Sequence, residues 1–261
     1  MRPFFFGRTE KPLFGIHHPP SAGSTRPRAV VLCPPFGPEY LRAHRSLREL
    51  AHGLAASGFH VIRFDYYGTG DSGGAKEEGT VEQWLEDVEG AVEEAKEASG
   101  AARVSVVGLR FGAALAAVAG IERRDIDAMV LWNPIVSGQR HLADLLERHT
   151  TLMATRPKPK GYRQPDPPTE ALGAPLTPAL REGLGAVDLM TLPRSPAPRV
   201  AVFCNEDDPP ATALYGRLRH QGAAAELEHQ PDSRFWLRQD DIERALVPQA
   251  SLRAITEWLT Q

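Results

Sequence analysis

An arginine stands between two glycines that follow a strand-like apolar run. Residues 103–108 (RVSVVG) are typical of a buried strand, and Gly108 and Gly112 frame the residues that lead into an alanine-rich helical stretch. Glycines are needed there because the middle residue sits in a strained turn and the helix must pack close to the strand. In the pattern Gly-x-Ser-x-Gly the middle position presents a serine nucleophile. Here that position holds Arg110.

The composition narrows the class of protein. The chain has 261 residues, 42% of them hydrophobic and 24% charged, with a net charge of -3. These values are ordinary for a globular protein and argue against nucleic acid or an anionic membrane surface as partner. The apolar N-terminal stretch is too short for a signal peptide, and no later run is long enough to span a bilayer, so we expect a soluble, cytoplasmic protein. Cys33 and Cys204 are interpreted as buried free thiols in a reducing compartment, or as a single disulfide.

Short apolar strands alternate with amphipathic helices along most of the chain. Strands are predicted at 29–33, 60–66, 103–108, 127–136, 200–204 and 225–229, and helices at 40–58, 80–100 and 111–121. This alternation predicts an α/β fold with a mostly parallel sheet of about eight strands and helices on both faces.

The alternation breaks between residues 137 and 198. A helical piece at 141–153 leads into a stretch rich in proline. A segment this long inside a compact domain is usually functional or disordered. We therefore predict one domain over 1–261 with a partly helical cap inserted at about 137–198, and we expect weak packing at 157–175.

Four motifs together resemble the α/β-hydrolase superfamily over nearly the whole chain, and in particular the serine-aminopeptidase-like and exosortase-associated hydrolases. They are CPPFG at 33–37, RFDYYGTGDS at 63–72, GLRFG at 108–112 and LWNP at 131–134. The resemblance implies the α/β-hydrolase fold and a position for each part of an active site.

By this resemblance the acid is Asp208, with Asp207 as second choice, and the position of the histidine base holds Arg234. The oxyanion hole would use the backbone N–H groups of Phe36 and Phe111. A guanidinium is neither a nucleophile nor a proton acceptor near neutral pH. The sequence therefore predicts that ordinary serine hydrolysis is absent, with no cofactor and no metal.

Two interpretations of Arg110 remain open. It could pair with Asp208 in a plugged pocket, since a buried charge needs a partner. Alternatively, Arg110 at a helix N-terminus, together with Arg234, could bind an anionic group.

Three functions follow from these interpretations. The chain could bind an anionic acyl or peptide-like small molecule in a biosynthetic pathway and isomerise it by proton transfer. It could instead be a true hydrolase of esters, thioesters or peptides with an unrecognised arrangement, or a catalytically dead binding or scaffold protein. Its oligomeric state is left open.

Other polar residues are interpreted more simply. Ser72 is predicted to be a turn residue at the rim, and Ser233 has no evident activating neighbour. His141 and His149 are eight residues apart in the predicted cap helix, which is a poor spacing for a metal pair.

Overall fold

The computed structural model describes residues 1–21, 27–157, 165, 167–230, 235–237 and 247–261. Eight of its strands form one sheet in the order β1-β2-β4-β3-β5-β6-β9-β10. The strands of this sheet are β1 (Arg2–Arg8), β2 (Lys11–His18), β3 (Ala29–Cys33), β4 (His60–Phe64), β5 (Val104–Leu109), β6 (Ile126–Trp132), β9 (Arg199–Asn205) and β10 (Ala224–Gln230). All neighbours from β4 to β10 pair in parallel, whereas β1 and β2 are antiparallel to their neighbours.

Helices cover both faces of the sheet. On one face α1 (Pro38–Ala56) packs beside α7 (Gln249–Thr260), with Leu54 and Ile255 fully buried in the same cluster. On the other face lie α2 (Val81–Ser99), α3 (Phe111–Glu122) and α6 (Pro209–His220). The central strands β3, β5, β6 and β9 are mostly apolar because both of their faces are covered.

The predicted strand and helix pattern is confirmed, with ends shifted by a few residues. The antiparallel hairpin of β1 and β2 was not predicted. Its β1 reads as a short apolar stretch, Phe4-Phe5-Phe6, but Phe4 and Phe6 pack against the core whereas Phe5 is 64% exposed. This inside-outside alternation is the sign of a half-buried strand that could have identified it.

The segment between β6 and β9 carries α4 (Gly138–Thr155), the two-residue strands β7 (Glu170–Ala171) and β8 (Ala174–Pro175), and α5 (Pro178–Ala186). Residues 158–164 and 166 of the expected weakly packed stretch lie outside the described residues. For residues 170–175 that expectation was wrong. Ala171 is buried, and the backbone N–H of Leu172 donates to Nδ1 of His149 at 3.1 Å, which fastens the small hairpin to α4.

The turn between β5 and α3 depends on a close approach at Gly112. A Cβ added there would lie 2.2 Å from the carbonyl oxygen of Pro34 and 2.4 Å from that of Cys33. Because both contacts are backbone atoms, Gly112→Ala is expected to lower the free energy of unfolding by roughly 3 kcal/mol or more, measured by urea denaturation.

Gly216→Ala is the matched control, because Gly216 lies inside α6 with no atom within 4 Å of an added Cβ. It should raise the free energy of unfolding by about 0.5–1 kcal/mol, since alanine is the better helix former. Similar effects of the two substitutions would contradict the close approach at Gly112.

Candidate functional site

Arg110 occupies the turn between β5 and α3, as the sequence predicts. Its backbone has φ 56° and ψ -120°, and α3 begins at the next residue, Phe111. The N–H of Arg110 donates to the carbonyl oxygen of Trp132 at 2.9 Å, and its own carbonyl oxygen accepts from Ile135 at 3.2 Å. A non-glycine residue in this region of φ and ψ is strained, so the surrounding hydrogen bonds must hold it there.

The side chain of Arg110 forms a two-point ion pair with Glu39. Nε lies 3.2 Å from Oε2 and Nη2 lies 3.3 Å from Oε1, while Nη1 donates to the carbonyl oxygen of Asn133 at 3.3 Å. The guanidinium carbon also lies 4.9 Å from the centre of the Trp236 ring. The side chains of Arg110 and Glu39 are 18% and 1% exposed. The positive charge at the turn is therefore compensated by an almost fully buried carboxylate.

Glu39 is a site residue that sequence reasoning missed. It lies in the first turn of α1, directly after Pro38, where acidic residues are common because they suit the helix dipole. This local explanation is sufficient, so the sequence gives no reason to connect Glu39 with Arg110, which lies 71 positions away. Only the short loop from β3 to α1, CPPFGPE, hinted that Glu39 would lie near the turn after β5, because β3 and β5 are neighbours.

One of the two open interpretations paired Arg110 with Asp208, and in the structure the partner of Arg110 is Glu39 instead. Asp208 caps the N-terminus of α6, and its Oδ1 accepts the N–H of Ala211 at 3.0 Å. The N-terminus of α6 offers unpaired N–H donors to the Asp208 carboxylate. The guanidinium of Arg110 is already paired with Glu39. Arg110 and Asp208 nevertheless line the same cavity.

The expected oxyanion donors are the backbone N–H groups of Phe36 and Phe111. Phe36 follows β3, and Phe111 is the first residue of α3. The close approach of Gly112 to Pro34 brings these two segments together. Neither N–H has a hydrogen-bond acceptor within the described part of the chain. Both residues are buried, Phe111 completely, and neither is a lining residue of the cavity beside Arg110.

A cavity of about 700 Å³ opens beside Arg110. One wall comes from the ends of β5, β6 and β9, and the other from the segment between β6 and β9. Its polar lining residues are Arg110, Ser137, Arg140, His141, Asp144, Asp188 and Asp208, and its apolar lining residues are Pro134, Ile135, Val136, Met190, Pro209, Pro210 and Ala213.

His141 is the most buried ionisable group in this cavity wall. It is 5% exposed, and its ring stacks on Phe111 with centroids 6.1 Å apart and planes 12° apart. The pKa of His141 falls to about 3, mainly because the ring is buried and also because Arg110 and Arg148 repel its positive form. The imidazole is therefore neutral near pH 7, and its Nε2 has no hydrogen-bond partner in the described residues.

The remaining sequence candidates separate into two groups. Arg234 and Ser233 lie outside the described residues. Ser72 is a turn residue, because its hydroxyl accepts from the N–H of Phe14 at 2.8 Å and donates to the carbonyl oxygen of Asp65 at 2.5 Å. Nδ1 of His149 accepts the hydrogen bond from Leu172 described above. Cys33 and Cys204 are both buried free thiols.

Solved structures with the same fold cover nearly the whole chain. Est1E from Butyrivibrio proteoclasticus, solved with ferulic acid bound, is 16% identical over 98% of this chain and 97% of its own, with a TM-score of 0.69. An esterase from Pyrococcus furiosus is 17% identical over 99% of this chain and 89% of its own, with a TM-score of 0.66. A proline iminopeptidase from Mycobacterium smegmatis is 14% identical over 99% and 97%, with a TM-score of 0.65.

The parallel sheet, its strand order and the turn at Arg110 thus define an α/β-hydrolase fold. The family model described as serine aminopeptidase, S33, matches residues 27–171, and the chain belongs to that family. A search of curated proteins found no match. Among the helices that the structure describes, none is long and apolar enough to cross a membrane.

Proposed function

We propose that this member of the family does not hydrolyse substrates through a serine, and that it binds a small acyl or peptide-like molecule in the cavity beside Arg110. In this proposal Arg110 occupies the nucleophile position and Arg234 the position of the base. The segment at about 137–198 acts as a cap within a single domain, because it supplies one wall of the cavity.

The ion pair between Arg110 and Glu39 carries this proposal. A guanidinium at the turn cannot attack a carbonyl carbon, and its contacts with Glu39 and Asn133 hold it in place. A hydrolase that used this turn would need the position free for a nucleophile. The family's fold remains, and the backbone N–H groups of Phe36 and Phe111 have no acceptor among the described residues.

The expectation of an anionic ligand rested mainly on an unpaired Arg110, and the pairing with Glu39 argues against it. Because Glu39 neutralises Arg110, the guanidinium offers much less attraction to an anion than an unpaired one would. The cavity lining also carries three carboxylates, those of Asp144, Asp188 and Asp208, and one further cation, Arg140. The ligand we propose is therefore uncharged where it meets the cavity wall, and a proton-transfer reaction on an anion is not part of the proposal.

Reaction with a serine-directed fluorophosphonate tests the absence of a nucleophile. The purified protein should remain unlabelled under conditions that label an active serine hydrolase fully, and hydrolysis of aryl acetates should stay at the background rate. Labelling at Ser72, Ser137 or Ser233, located by peptide mass spectrometry, would favour the alternative that the chain is a true hydrolase with an unrecognised arrangement. Membership in the serine aminopeptidase family is the observation that supports this alternative.

A further inference from the structure

We propose that a second cavity, at the amino ends of the parallel strands, binds a diphosphate group, carried either by free pyrophosphate or by a nucleotide. The cavity has a volume of about 450 Å³, and its lining includes Arg103, Arg123, Arg124 and Arg194. It is called the arginine cavity below. It shares no lining residue with the cavity beside Arg110, so this inference is independent of the proposed function.

The strand ends define the position of the arginine cavity. Arg103 directly precedes β5, Ile126 is the first residue of β6, and Pro198 directly precedes β9. Arg110 follows the other end of β5. Because a parallel strand advances by about 3.3 Å per residue, the six residues of β5 place the two cavities roughly 20 Å apart. A ligand in the arginine cavity therefore does not meet the residues proposed to bind the acyl or peptide-like molecule.

Most of the positive charge in the arginine cavity is uncompensated. The guanidinium of Arg123 is paired with two carboxylates, those of Glu93 and Asp125. The other three arginines of the lining lie within 4 Å of no carboxylate oxygen among the described residues, and the described lining includes no acidic residue. Positive charges gathered in one concave surface repel one another and attract anions. The arginine cavity therefore favours an anionic ligand.

Hydrogen bonds hold the walls of the arginine cavity in place. The carbonyl oxygen of Leu192 accepts from Arg217 at 2.8 Å and from Gln221 at 2.7 Å, which fastens the segment before β9 to α6. In the same segment, Nη2 of Arg194 lies 3.5 Å from the carbonyl oxygen of Arg123, which follows α3. A site whose walls are already positioned loses less entropy when a ligand binds.

The distribution of charge favours a diphosphate over a single phosphate or a long polyanion. A guanidinium presents paired donors that match phosphate oxygens, and two linked phosphate groups reach more of the three unpaired guanidiniums than one group does. A nucleic acid would extend over the adjoining surface beyond Arg123 and Arg124. The carboxylates of Glu89, Glu122 and Asp125 line that surface and would repel its backbone. The ligand that fits is therefore compact.

Isothermal titration calorimetry of the native protein with inorganic pyrophosphate tests the site. We expect one-to-one binding with a Kd below about 1 mM in about 0.1 M salt, and an affinity that falls as the salt concentration rises. Orthophosphate should bind at least about ten-fold more weakly, because it meets fewer guanidiniums. Pyrophosphate binding weaker than that limit, or an equal affinity for orthophosphate, would overturn the proposal.

Two further titrations identify the source of the diphosphate. ADP that binds at least as tightly as pyrophosphate assigns the site to a nucleotide, whereas weaker binding of ADP assigns it to the free ion. A short oligothymidylate tests nucleic acid as the ligand. Binding of the oligothymidylate as tight as that of pyrophosphate would contradict a site for a compact anion.

Arg103→Ala and Arg124→Ala locate the binding, because both side chains are exposed and neither forms an ion pair in the described structure. Each substitution should weaken pyrophosphate binding at least about five-fold, the effect of losing a charge-assisted hydrogen bond. Arg124→Lys keeps the charge and should recover part of the affinity. Circular dichroism confirms that each variant is folded before its affinity is compared.

Arg45→Ala is the matched control, because Arg45 is exposed on α1, on the other face of the sheet, and the substitution removes the same charge. Pyrophosphate affinity should change by less than about two-fold, since salt screens distant charges. Equal losses in Arg45→Ala and Arg124→Ala would show that only the net charge matters. Unchanged affinity in both Arg103→Ala and Arg124→Ala would show that pyrophosphate binds elsewhere, and either result would refute the site.

Discussion

Arg110→Ala is expected to lower the free energy of unfolding by about 3–5 kcal/mol. The substitution leaves the Glu39 carboxylate almost fully buried with no cation beside it, and an uncompensated buried charge is more costly than the loss of an exposed pair. It also removes the contact with the Trp236 ring and the hydrogen bond to Asn133. Urea denaturation at neutral pH, followed by tryptophan fluorescence, measures the change.

Glu39→Gln combined with Arg110→Ala is the matched control. The double variant removes both charges, so it should be more stable than Arg110→Ala alone by about 1–3 kcal/mol, and a double-mutant cycle isolates the coupling between the two residues. Asp208→Asn in the Arg110→Ala background should not rescue stability, because Asp208 caps α6 instead. Rescue by Asp208→Asn but not by Glu39→Gln would show that the partner of Arg110 is misassigned.

The second large effect is a gain of activity. Combining Arg110→Ser and Arg234→His with Glu39→Gln should create a protein that fluorophosphonate labels at position 110. A serine in the turn would lie beside the N-terminus of α3, near the free N–H of Phe111, and a histidine at 234 would supply the base that the resemblance places there. Hydrolysis of aryl acetates should rise by roughly 10²-fold or more over the native protein.

Two controls locate the cause of this gain. Arg110→Ser with Glu39→Gln but without Arg234→His lacks the base and should be labelled far more slowly. Asp208→Ala in the active combination should reduce the rate again if Asp208 orients the new histidine. A full rate without Arg234→His would mean that position 234 is not that of the base.

The sequence predicts the central sheet well for a definite reason. Strands β3, β5 and β6 are buried on both faces, so their sequences are almost continuous apolar runs that can be recognised without knowledge of the neighbouring strands. The turn at Arg110 is recognisable because close backbone approaches require both flanking glycines. Gly108 approaches Gly112 and Ala113, and Gly112 approaches Cys33 and Pro34. The hairpin of β1 and β2 was not predicted because its partly exposed strands mix aromatic, charged and glycine residues.

The site is predictable only where a motif fixes it locally. The local pattern predicts Arg110 and the family resemblance implies Asp208 as candidate site residues, but the sequence does not say which carboxylate the guanidinium reaches. That choice depends on the path of the chain from β3 into α1. Glu39 lies in the first turn of α1, where an acidic residue is expected for the helix dipole alone, so its sequence position does not reveal the pairing. His141 shows the same limit, since its burial against Phe111 arises from packing between the segment after β6 and the helix after β5.

The pairing of α1 with α7 has a consequence for how the chain is made. Both helices cover the same face of the sheet, yet they lie far apart in the sequence. Trp258 and Leu259 of α7 belong to the same buried cluster as Leu47 and Leu50 of α1. During synthesis, that apolar face stays partly open until α7 has left the ribosome, whereas α2 and α3 can already dock on the other face. Nascent chains that stall before α7 should therefore be the ones that chaperones retain or that aggregate.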